Sequence, residues 1–335
     1  MAALLLSLGI SLMVGPGLIR RLKKLHFGTV IYELGPAHQQ KQGTPVMGGL
    51  MIALGTVCSQ ILFHRIPWQN GWDLGLGLMG ISLMSMAVGF ADDWIKAVRK
   101  RHEGLTPWQK IAGQVISAAA FSFWCYYNPD IGSSIRIPFV QAEWDMGIWY
   151  LPVMTLLVVF FVNSTNLQDG LDGLLGTISV VSNSAWAAVT LIVALAVDGD
   201  HAFYDPAGIF ALGLVGGCAG YLRFNRYPAK VFMGDTGSMF LGGASVGLAL
   251  VLRQPVLLLL IGFCPVMSSV SVILQRYYFK LTRKFSADHQ GRRIFLMSPV
   301  HHHFEKKGYT ETQIVSMYAG ITTILSWIAV LSILE

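Results

Sequence analysis

Residues 174–197 read LLGTISVVSNSAWAAVTLIVALAV and contain no Lys, Arg, Asp or Glu. A helix of about 20 apolar residues crosses a bilayer core, so this stretch alone predicts a membrane span. The same pattern extends along the chain, since 53% of its 335 residues are hydrophobic and only 13% are charged. That charged share is about half of the share found in soluble globular domains. The composition therefore argues against a water-soluble enzyme.

Ten uncharged stretches predict a single-domain, all-α polytopic membrane protein with about ten transmembrane helices. They cover residues 2–19, 46–63, 74–91, 111–127, 147–162, 174–197, 207–222, 236–252, 255–274 and 314–334. Every Lys, Arg, Asp and Glu lies outside them, as expected from the cost of a charge at the bilayer centre. Two of the stretches are short, and a count of eight or nine spans stays open.

The basic residues predict the orientation. With ten spans, the loops after odd-numbered spans carry every Lys and Arg except Arg65, Arg136 and Arg253. Cytoplasmic loops are enriched in basic residues, so these loops are expected inside the cell and both termini outside. The net charge of +6 is then mostly a consequence of topology, and nucleic acid is not expected as a partner.

Asp92 and Asp93 stand at the end of the third stretch, in the run GFADDWIK of residues 89–96. Two adjacent carboxylates at the cytoplasmic boundary suit a general base or an ion-binding pair. The alternative is that Lys96, one helical turn further on, simply neutralises them.

The run NSTNLQDGLDG of residues 163–173 holds polar side chains at every third position: Asn163, Asn166, Asp169 and Asp172. A helical turn would align them on one face. Gly170 and Gly173 would let a ligand approach the backbone. The alternative is a solvated turn between two spans.

The run FMGDTGS of residues 232–238 lies at the start of the eighth stretch. Asp235, with Thr236 and Ser238, could cap that helix or bind a ligand, and the two roles are compatible. Phe232 could offer its ring to a nucleobase.

The run HHHFE of residues 301–305 holds three consecutive histidines. They cannot all face one metal from a regular helix, and no Cys accompanies them, which argues against zinc. Imidazoles that donate to phosphate oxygens fit better.

Taken together, these groups predict a hard-cation site. Oxygen ligands without thiolates select Mg²⁺, and Mg²⁺ with basic groups and a carboxylate base is the equipment of phosphoryl transfer. Because the site opens at the lipid boundary, a phosphate on a lipid tail could enter sideways. An ion-coupled transporter is the alternative of a different class, and it would need ionisable groups along a path through the spans.

Five motifs in order resemble the polyprenyl-phosphate N-acetylhexosamine-1-phosphate transferases, a family of bacterial cell-membrane enzymes. They are QGTPVMGG at 42–49, the Asp92–Asp93 pair, NLQDGLDG at 166–173, FMGDTGS at 232–238 and HHHFE at 301–305. The resemblance extends from about residue 20 to residue 335. Two small departures are Val46, where Thr is common, and Gln168.

The resemblance implies a reaction. The run SPVHHHFE of residues 298–305 is most similar to members that act on UDP-MurNAc-pentapeptide. Such a member transfers phospho-MurNAc-pentapeptide to undecaprenyl phosphate, a membrane lipid, and releases UMP with lipid I as the product. A member that uses UDP-GlcNAc or a related UDP-sugar is the alternative. The resemblance also implies a homodimer.

The resemblance further implies residue roles. Asp235 would bind Mg²⁺, and Asp92 would deprotonate or position the lipid phosphate. Asp93 and Asp169 would support the metal and charge network. The uridine pocket would comprise Gly170, Leu171, Asp172 and Phe232, with Phe232 on the uracil. Phosphates or sugar would be held by Lys41, Lys110, Asn166 and Asn225. The site would be lined by His301, His302 and His303. His302 would be one of the catalytic groups. Direct transfer and a covalent phospho-carboxylate both stay open.

Overall fold

The computed structural model describes residues 1–25, 43–64, 73–99, 103–140, 142–196, 205–285 and 290–334. These residues form twelve helices: α1 (Ala2–Lys24), α2 (Gly49–Phe63), α3 (Leu74–Arg99), α4 (Pro107–Tyr127), α5 (Tyr150–Gln168), α6 (Leu174–Ala196), α7 (Asp205–Asn225), α8 (Gly234–Val251), α9 (Leu258–Ile261), α10 (Phe263–Phe285), α11 (Val300–Lys306) and α12 (Glu311–Leu331). Two short strands, β1 (Ser134–Ile137) and β2 (Ala142–Asp145), lie between α4 and α5.

The helical membrane class is confirmed. Helix overlaps each of the ten predicted stretches. Within the described residues, six helices are long and apolar enough to cross a bilayer: α1, α3, α5 with its preceding turn, α6, α7 and α12. A bent pair, Pro255–Ile261 with Phe263–Phe285, would make a seventh. The count of ten spans and the outward termini stay predictions.

Helix α8 forms the centre of the bundle. Every residue from Thr236 to Val251 is buried, which is the pattern of a helix enclosed by neighbours on all sides. It packs against α3 on one side and α5 on another. Its glycines permit this proximity, since a Cβ on Gly243 would lie 2.7 Å from Ser85 Oγ and one on Gly237 would lie 2.5 Å from Gly49 Cα. Small residues at such contacts are the usual means of close helix packing in membranes.

The predicted span 255–274 is not one straight helix. The chain bends by 84° between α9 and α10, at Gly262. Pro265 in the first turn of α10 has no backbone N–H to donate to the preceding turn. A Cβ on Gly262 would lie 2.4 Å from the ring of Phe161, so the bend also fits closely against α5.

Among the helices that extend beyond their predicted ends, two carry candidate site residues in the extension. Helix α3 continues to Arg99, eight residues past the predicted boundary at 91, and α5 continues to Gln168 instead of ending at 162. Asp92 and Asp93 therefore follow the apolar stretch, as predicted, but lie within α3, which continues to Arg99. Buried polar side chains lie in both extensions: Asp92 and Asp93 in α3, and Ser164, Thr165 and Gln168 in α5.

The apolar pattern does not predict the β-hairpin between α4 and α5. Strands β1 and β2 pair antiparallel, with Ser134 opposite Asp145 and Ile137 opposite Ala142. Arg253, which follows α8, donates to Glu143 at 2.9 Å, and its backbone carbonyl accepts from Arg136 at 2.8 Å. The hairpin is thereby fixed to the end of α8 opposite Asp235.

Candidate active site

Three carboxylates form an acidic cluster where α3 meets the start of α8. One oxygen each from Asp92, Asp93 and Asp235 lies within 4.8 Å of the others. Asp92 and Asp93 are buried, and Asp235 is partly exposed. Carboxylate oxygens this close repel one another in the absence of a cation. The arrangement therefore has the donor atoms and the spacing of a metal site.

Two glycines bring the helices this close together. A Cβ on Gly89 of α3 would lie 2.1 Å from the backbone oxygen of Asp235, so only glycine permits this approach. Gly234 precedes Asp235 with φ of +74°, a left-handed conformation that glycine adopts without strain. A Cβ there would lie 2.6 Å from Asp93 Oδ2. The packing of α8 against α3 therefore requires a glycine immediately before Asp235.

Two lysines neutralise the cluster. Lys96 Nζ lies 3.2 Å from Asp235 Oδ2 and pairs with Asp92 one helical turn earlier in α3. Lys110 Nζ of α4 donates to the same Asp235 oxygen at 2.8 Å. Lys96 was expected to neutralise Asp92 and Asp93; its ion pairs are to Asp92 and to Asp235 of the cluster. Three negative charges face two positive ones.

The last turn of α5 supplies an amide to the cluster. Asn166 Nδ2 donates to Asp235 Oδ1 at 2.7 Å and to Ser238 Oγ at 2.9 Å. Asn163, one turn earlier, instead exchanges hydrogen bonds with Gln114 of α4. The alternative of a solvated turn over residues 163–173 is wrong for these two residues, since both lie in α5 with protein partners.

Asp93 caps α8 from outside that helix. Its Oδ2 accepts from the backbone N–H of Thr236 at 2.9 Å and from Thr236 Oγ1 at 2.7 Å. Helix α8 has no side-chain cap of its own at Met233, and Ser238 Oγ donates within the helix to Gly234. The expectation that Asp235, Thr236 or Ser238 caps α8 is wrong, because a carboxylate of α3 occupies that position.

Asp92 is fixed by the segment between α3 and α4. Its Oδ1 accepts from the backbone N–H of Leu105 at 2.8 Å. A Cβ on Gly104 would lie 2.4 Å from the same oxygen, so glycine is needed beside it. With Lys96 at its other oxygen, Asp92 is held as an oriented carboxylate at the edge of the cluster.

The loop after α5 is joined to the loop before α8. Asp172 Oδ2 accepts from the backbone N–H of Ala229 at 2.9 Å. Asn225 accepts from the N–H of Gly173 at 3.0 Å and donates to the carbonyl of Val231 at 2.9 Å. Asn225 is buried, and its amide is fully engaged by backbone. These bonds hold together the two loops, which carry the predicted uridine-pocket residues.

Asp169 follows α5 and lies close to other acidic side chains. Desolvation and the charges of Asp235, Asp93 and Asp172 raise its pKa to about 8. A bound cation would favour the ionised form of this carboxyl, because opposite charge lowers the pKa of an acid. Without a cation Asp169 is therefore mostly protonated at neutral pH, and it adds negative charge beside the cluster only once it is ionised.

Two backbone hydrogen bonds hold Phe232 in place. Its N–H donates to the carbonyl of Pro45 at 2.8 Å, and its carbonyl accepts from the N–H of Gly48 at 2.8 Å. The ring is partly exposed, so a face is available to a ligand. The segment 43–49, which contains most of the first motif, therefore supports the residue predicted to stack on uracil.

The three histidines of α11 have three different environments. His301 is fully buried against Gly170, where a Cβ would lie 2.2 Å from its Nε2. Burial lowers the pKa of His301 to about 3, so its ring is neutral. His302 Nδ1 lies 2.9 Å from Glu305 Oε2. His303 accepts from the N–H of Leu296 at 3.0 Å. Within the described residues the acidic cluster comprises the three carboxylates and none of these histidines.

The predicted residues that the structure describes lie at one end of the bundle. Lys41 lies outside the described residues. Leu171 is buried in the core beside the loop residues it accompanies. Sequence reasoning missed Thr236 as the partner of Asp93, and also Glu311, which accepts from the N–H of Asp172 at 2.9 Å. Glu311 lies in the first turn of α12, which begins with a capping box between Thr310 and Gln313.

Comparison with known proteins places the chain in context. Residues 75–253 match the model of glycosyl transferase family 4. The phospho-N-acetylmuramoyl-pentapeptide-transferase of Heliobacterium modesticaldum is 41% identical, over 98% of this chain and 96% of that protein. The proteins of the same name from Clostridium novyi and Clostridium perfringens are 36% and 37% identical, over 99% of this chain and 96% and 98% of theirs. The similarity therefore extends over nearly the whole length of the chain.

Proposed function

The chain belongs to the phospho-N-acetylmuramoyl-pentapeptide-transferase family, and we propose that it catalyses the reaction of that name. It transfers phospho-MurNAc-pentapeptide from UDP-MurNAc-pentapeptide to undecaprenyl phosphate and produces lipid I and UMP. The observation that carries the proposal is the acidic cluster of Asp92, Asp93 and Asp235 faced by Lys96 and Lys110. Phosphoryl transfer needs this combination of charges, because its catalysis is mostly positioning and charge neutralisation.

Mg²⁺ fits the cluster by its donor set. All three candidate ligands are carboxylates, and hard cations prefer oxygen. The four cysteines carry no disulfide or thiolate site: Cys58, Cys125, Cys218 and Cys264 are free. Asp235 is the proposed ligand, supported by Asp93 and Asp169. When bound, Mg²⁺ would neutralise charge on the diphosphate and on the departing UMP.

Asp92 is the proposed base. An oxygen of undecaprenyl phosphate attacks the phosphorus that carries the sugar, the bond from that phosphorus to the UMP oxygen breaks, and UMP leaves with the bonding electron pair. Asp92 would accept the proton of a monoprotonated lipid phosphate before attack. Its carboxylate is oriented by Leu105 and Lys96, as a positioned base requires. We favour this direct attack because it needs no covalent intermediate on the protein.

The nucleotide and phosphates would bind beside the cluster. Phe232 would stack on uracil, and Gly170, Leu171 and Asp172 would complete the pocket. Lys110 and Asn166 contact Asp235 and are near enough to the cluster to bind phosphate oxygens. Asn225 is engaged with backbone, so we assign it to shaping the pocket. His302, paired with Glu305, would present its Nε2 to a phosphate oxygen, and His301 and His303 would position it.

We also propose that the site faces the cytoplasm. The basic loops identify that side by the positive-inside rule, and the cluster lies at the ends of the helices that those loops join. A ten-span topology with both termini outside and a homodimer in the membrane complete the proposal.

One assay tests the reaction. Purified protein receives undecaprenyl phosphate, MgCl₂ and either UDP-MurNAc-pentapeptide or UDP-GlcNAc, and UMP is measured. We expect UMP only with the MurNAc-pentapeptide donor and only with divalent cation. Equal UMP release from UDP-GlcNAc would favour the alternative transferase, and no UMP from either donor would refute both.

A further inference from the structure

An open groove lies between α1 and α7, outside the site described above. It encloses about 430 Å³. Its walls are apolar over most of their length and basic at one end: Leu12, Pro16, Ile19 and Phe224 form the apolar part, and Lys23, Arg223 and Lys230 the basic part. A cavity of this volume can hold a ligand of drug size or one segment of a longer molecule.

The groove follows a stripe along α1. Leu12, Pro16, Ile19 and Lys23 are spaced by four, three and four residues, so they lie on one face of the helix. The stripe is apolar for two turns, roughly 10 Å, and then ends in a cation. Phe224 forms the other wall and packs on Gly15, where a Cβ would lie 2.4 Å from its ring.

Three cations form the basic end of the groove. Within the described residues no salt bridge engages Lys23, Arg223 or Lys230. All three are exposed, and they come from the last turns of α1 and α7 and from the segment after α7. Three like charges at one place repel one another, and a bound anion would relieve that repulsion.

We propose that this groove binds an anionic phospholipid of the surrounding bilayer. The phosphate headgroup would contact Lys23, Arg223 and Lys230, and one acyl chain would lie along Leu12, Pro16 and Ile19. Both α1 and α7 are candidate membrane spans, so the apolar part of the groove faces acyl chains and the basic part the headgroup layer. Basic pockets between transmembrane helices on the cytoplasmic side commonly bind such headgroups.

Lipid binding to the full-length protein in detergent tests the proposal. Native mass spectrometry measures retention of dioleoylphosphatidylglycerol against dioleoylphosphatidylcholine. The groove variant combines Lys23→Gln, Arg223→Gln and Lys230→Gln. Its matched control combines Lys280→Gln, Arg283→Gln and Lys284→Gln, which removes the same charge from exposed positions of α10. We expect the groove variant to lose roughly 100-fold in affinity for phosphatidylglycerol and the control to lose almost none.

Equal losses in the two triple variants, or equal retention of the two lipids by the unaltered protein, would overturn the proposal. Leu12→Asn tests the apolar wall separately and should weaken phosphatidylglycerol binding even if the triple variant fails to fold. Inorganic phosphate should not displace the lipid, because it lacks the acyl chain. If undecaprenyl phosphate displaces phosphatidylglycerol at lower concentration than phosphatidylglycerol itself, the groove belongs to the substrate and the proposal fails.

Discussion

Asp93 of α3 holds the first turn of α8 through Thr236, whose backbone N–H and hydroxyl both donate to Asp93 Oδ2. A carboxylate at a helix N-terminus is favoured by the helix dipole and by the unpaired N–H groups there. Here the carboxylate comes from another helix, so it fixes α8 relative to α3. Asp235 is the neighbour of Thr236, and its distance from Asp92 therefore depends on this cap.

Thr236→Val should destabilise the protein and slow catalysis. Valine matches threonine in shape but cannot donate to Asp93, and a lost hydrogen bond to a buried charged group costs about 1–3 kcal/mol. Thermal unfolding in detergent and kcat for UMP release measure the two effects. Thr236→Ser should restore most of both, since it keeps the hydroxyl. Thr190→Val removes a buried hydroxyl bond within α6 and should leave kcat unchanged. Equal kcat losses at the two positions would contradict the role of the cap.

Asp235→Asn should abolish metal-dependent turnover. Removing one charge-stabilising group from a catalytic site costs about 100- to 1,000-fold in rate, and the proposed metal ligand is lost with it. UMP release measures the rate, and Mn²⁺ titration followed by electron paramagnetic resonance measures the metal site. Asp205→Asn, at the exposed start of α7, is the matched control. Unchanged Mn²⁺ affinity in Asp235→Asn would remove Asp235 from the metal site.

Asp92→Asn should lower kcat more than it raises KM. An amide keeps the contact with Leu105 but cannot accept a proton, and loss of a general base costs about 100- to 10,000-fold. Steady-state kinetics with both substrates varied separate the two parameters. A change confined to KM would show that Asp92 binds substrate and is not the base.

Phe232→Ala should weaken binding of the uridine nucleotide. Stacking of a base on an aromatic ring contributes about 1–3 kcal/mol, so KM for the UDP-sugar should rise about 5- to 150-fold. Phe232→Trp keeps an aromatic face and should retain most of the affinity. If KM does not change in Phe232→Ala, uracil does not stack on this ring.

His301→Gln should change how stability depends on pH. Burial lowers the pKa of His301 from 6.5 to about 3, so between those values the unfolded chain binds a proton that the folded chain does not. The native state therefore loses stability as pH falls below 6.5, by up to about 1.4 kcal/mol per pH unit. Glutamine does not titrate, so thermal unfolding between pH 4.5 and 7 should show a flatter profile. An unchanged slope would place the acid sensitivity elsewhere.

Much of the site could be predicted from local sequence. Adjacent carboxylates, a glycine-rich acidic motif and consecutive histidines mark reactive segments wherever they lie in space. What could not be predicted was which group each one contacts. Asn163 and Asn166 are one turn apart in α5, yet one pairs with Gln114 and the other with Asp235. That difference arises because α4 and α8 pack on adjacent faces of α5.

The apolar stretches by themselves determined a helical membrane protein. A run of about twenty uncharged residues in lipid must satisfy its backbone hydrogen bonds internally, and a helix does so within the run itself. They also determined that the polar motifs lie at the ends of the predicted membrane spans. Tertiary structure decided the rest. The close approach at Gly89 placed Asp235 against two lysines and made Asp93 a cap, and packing against Gly170 buried His301 completely, unlike His302 and His303. The hydrogen-bond or ion-pair partner of each side chain depends on contacts between residues far apart in the chain. Hydrophobic periodicity carries no information about those contacts.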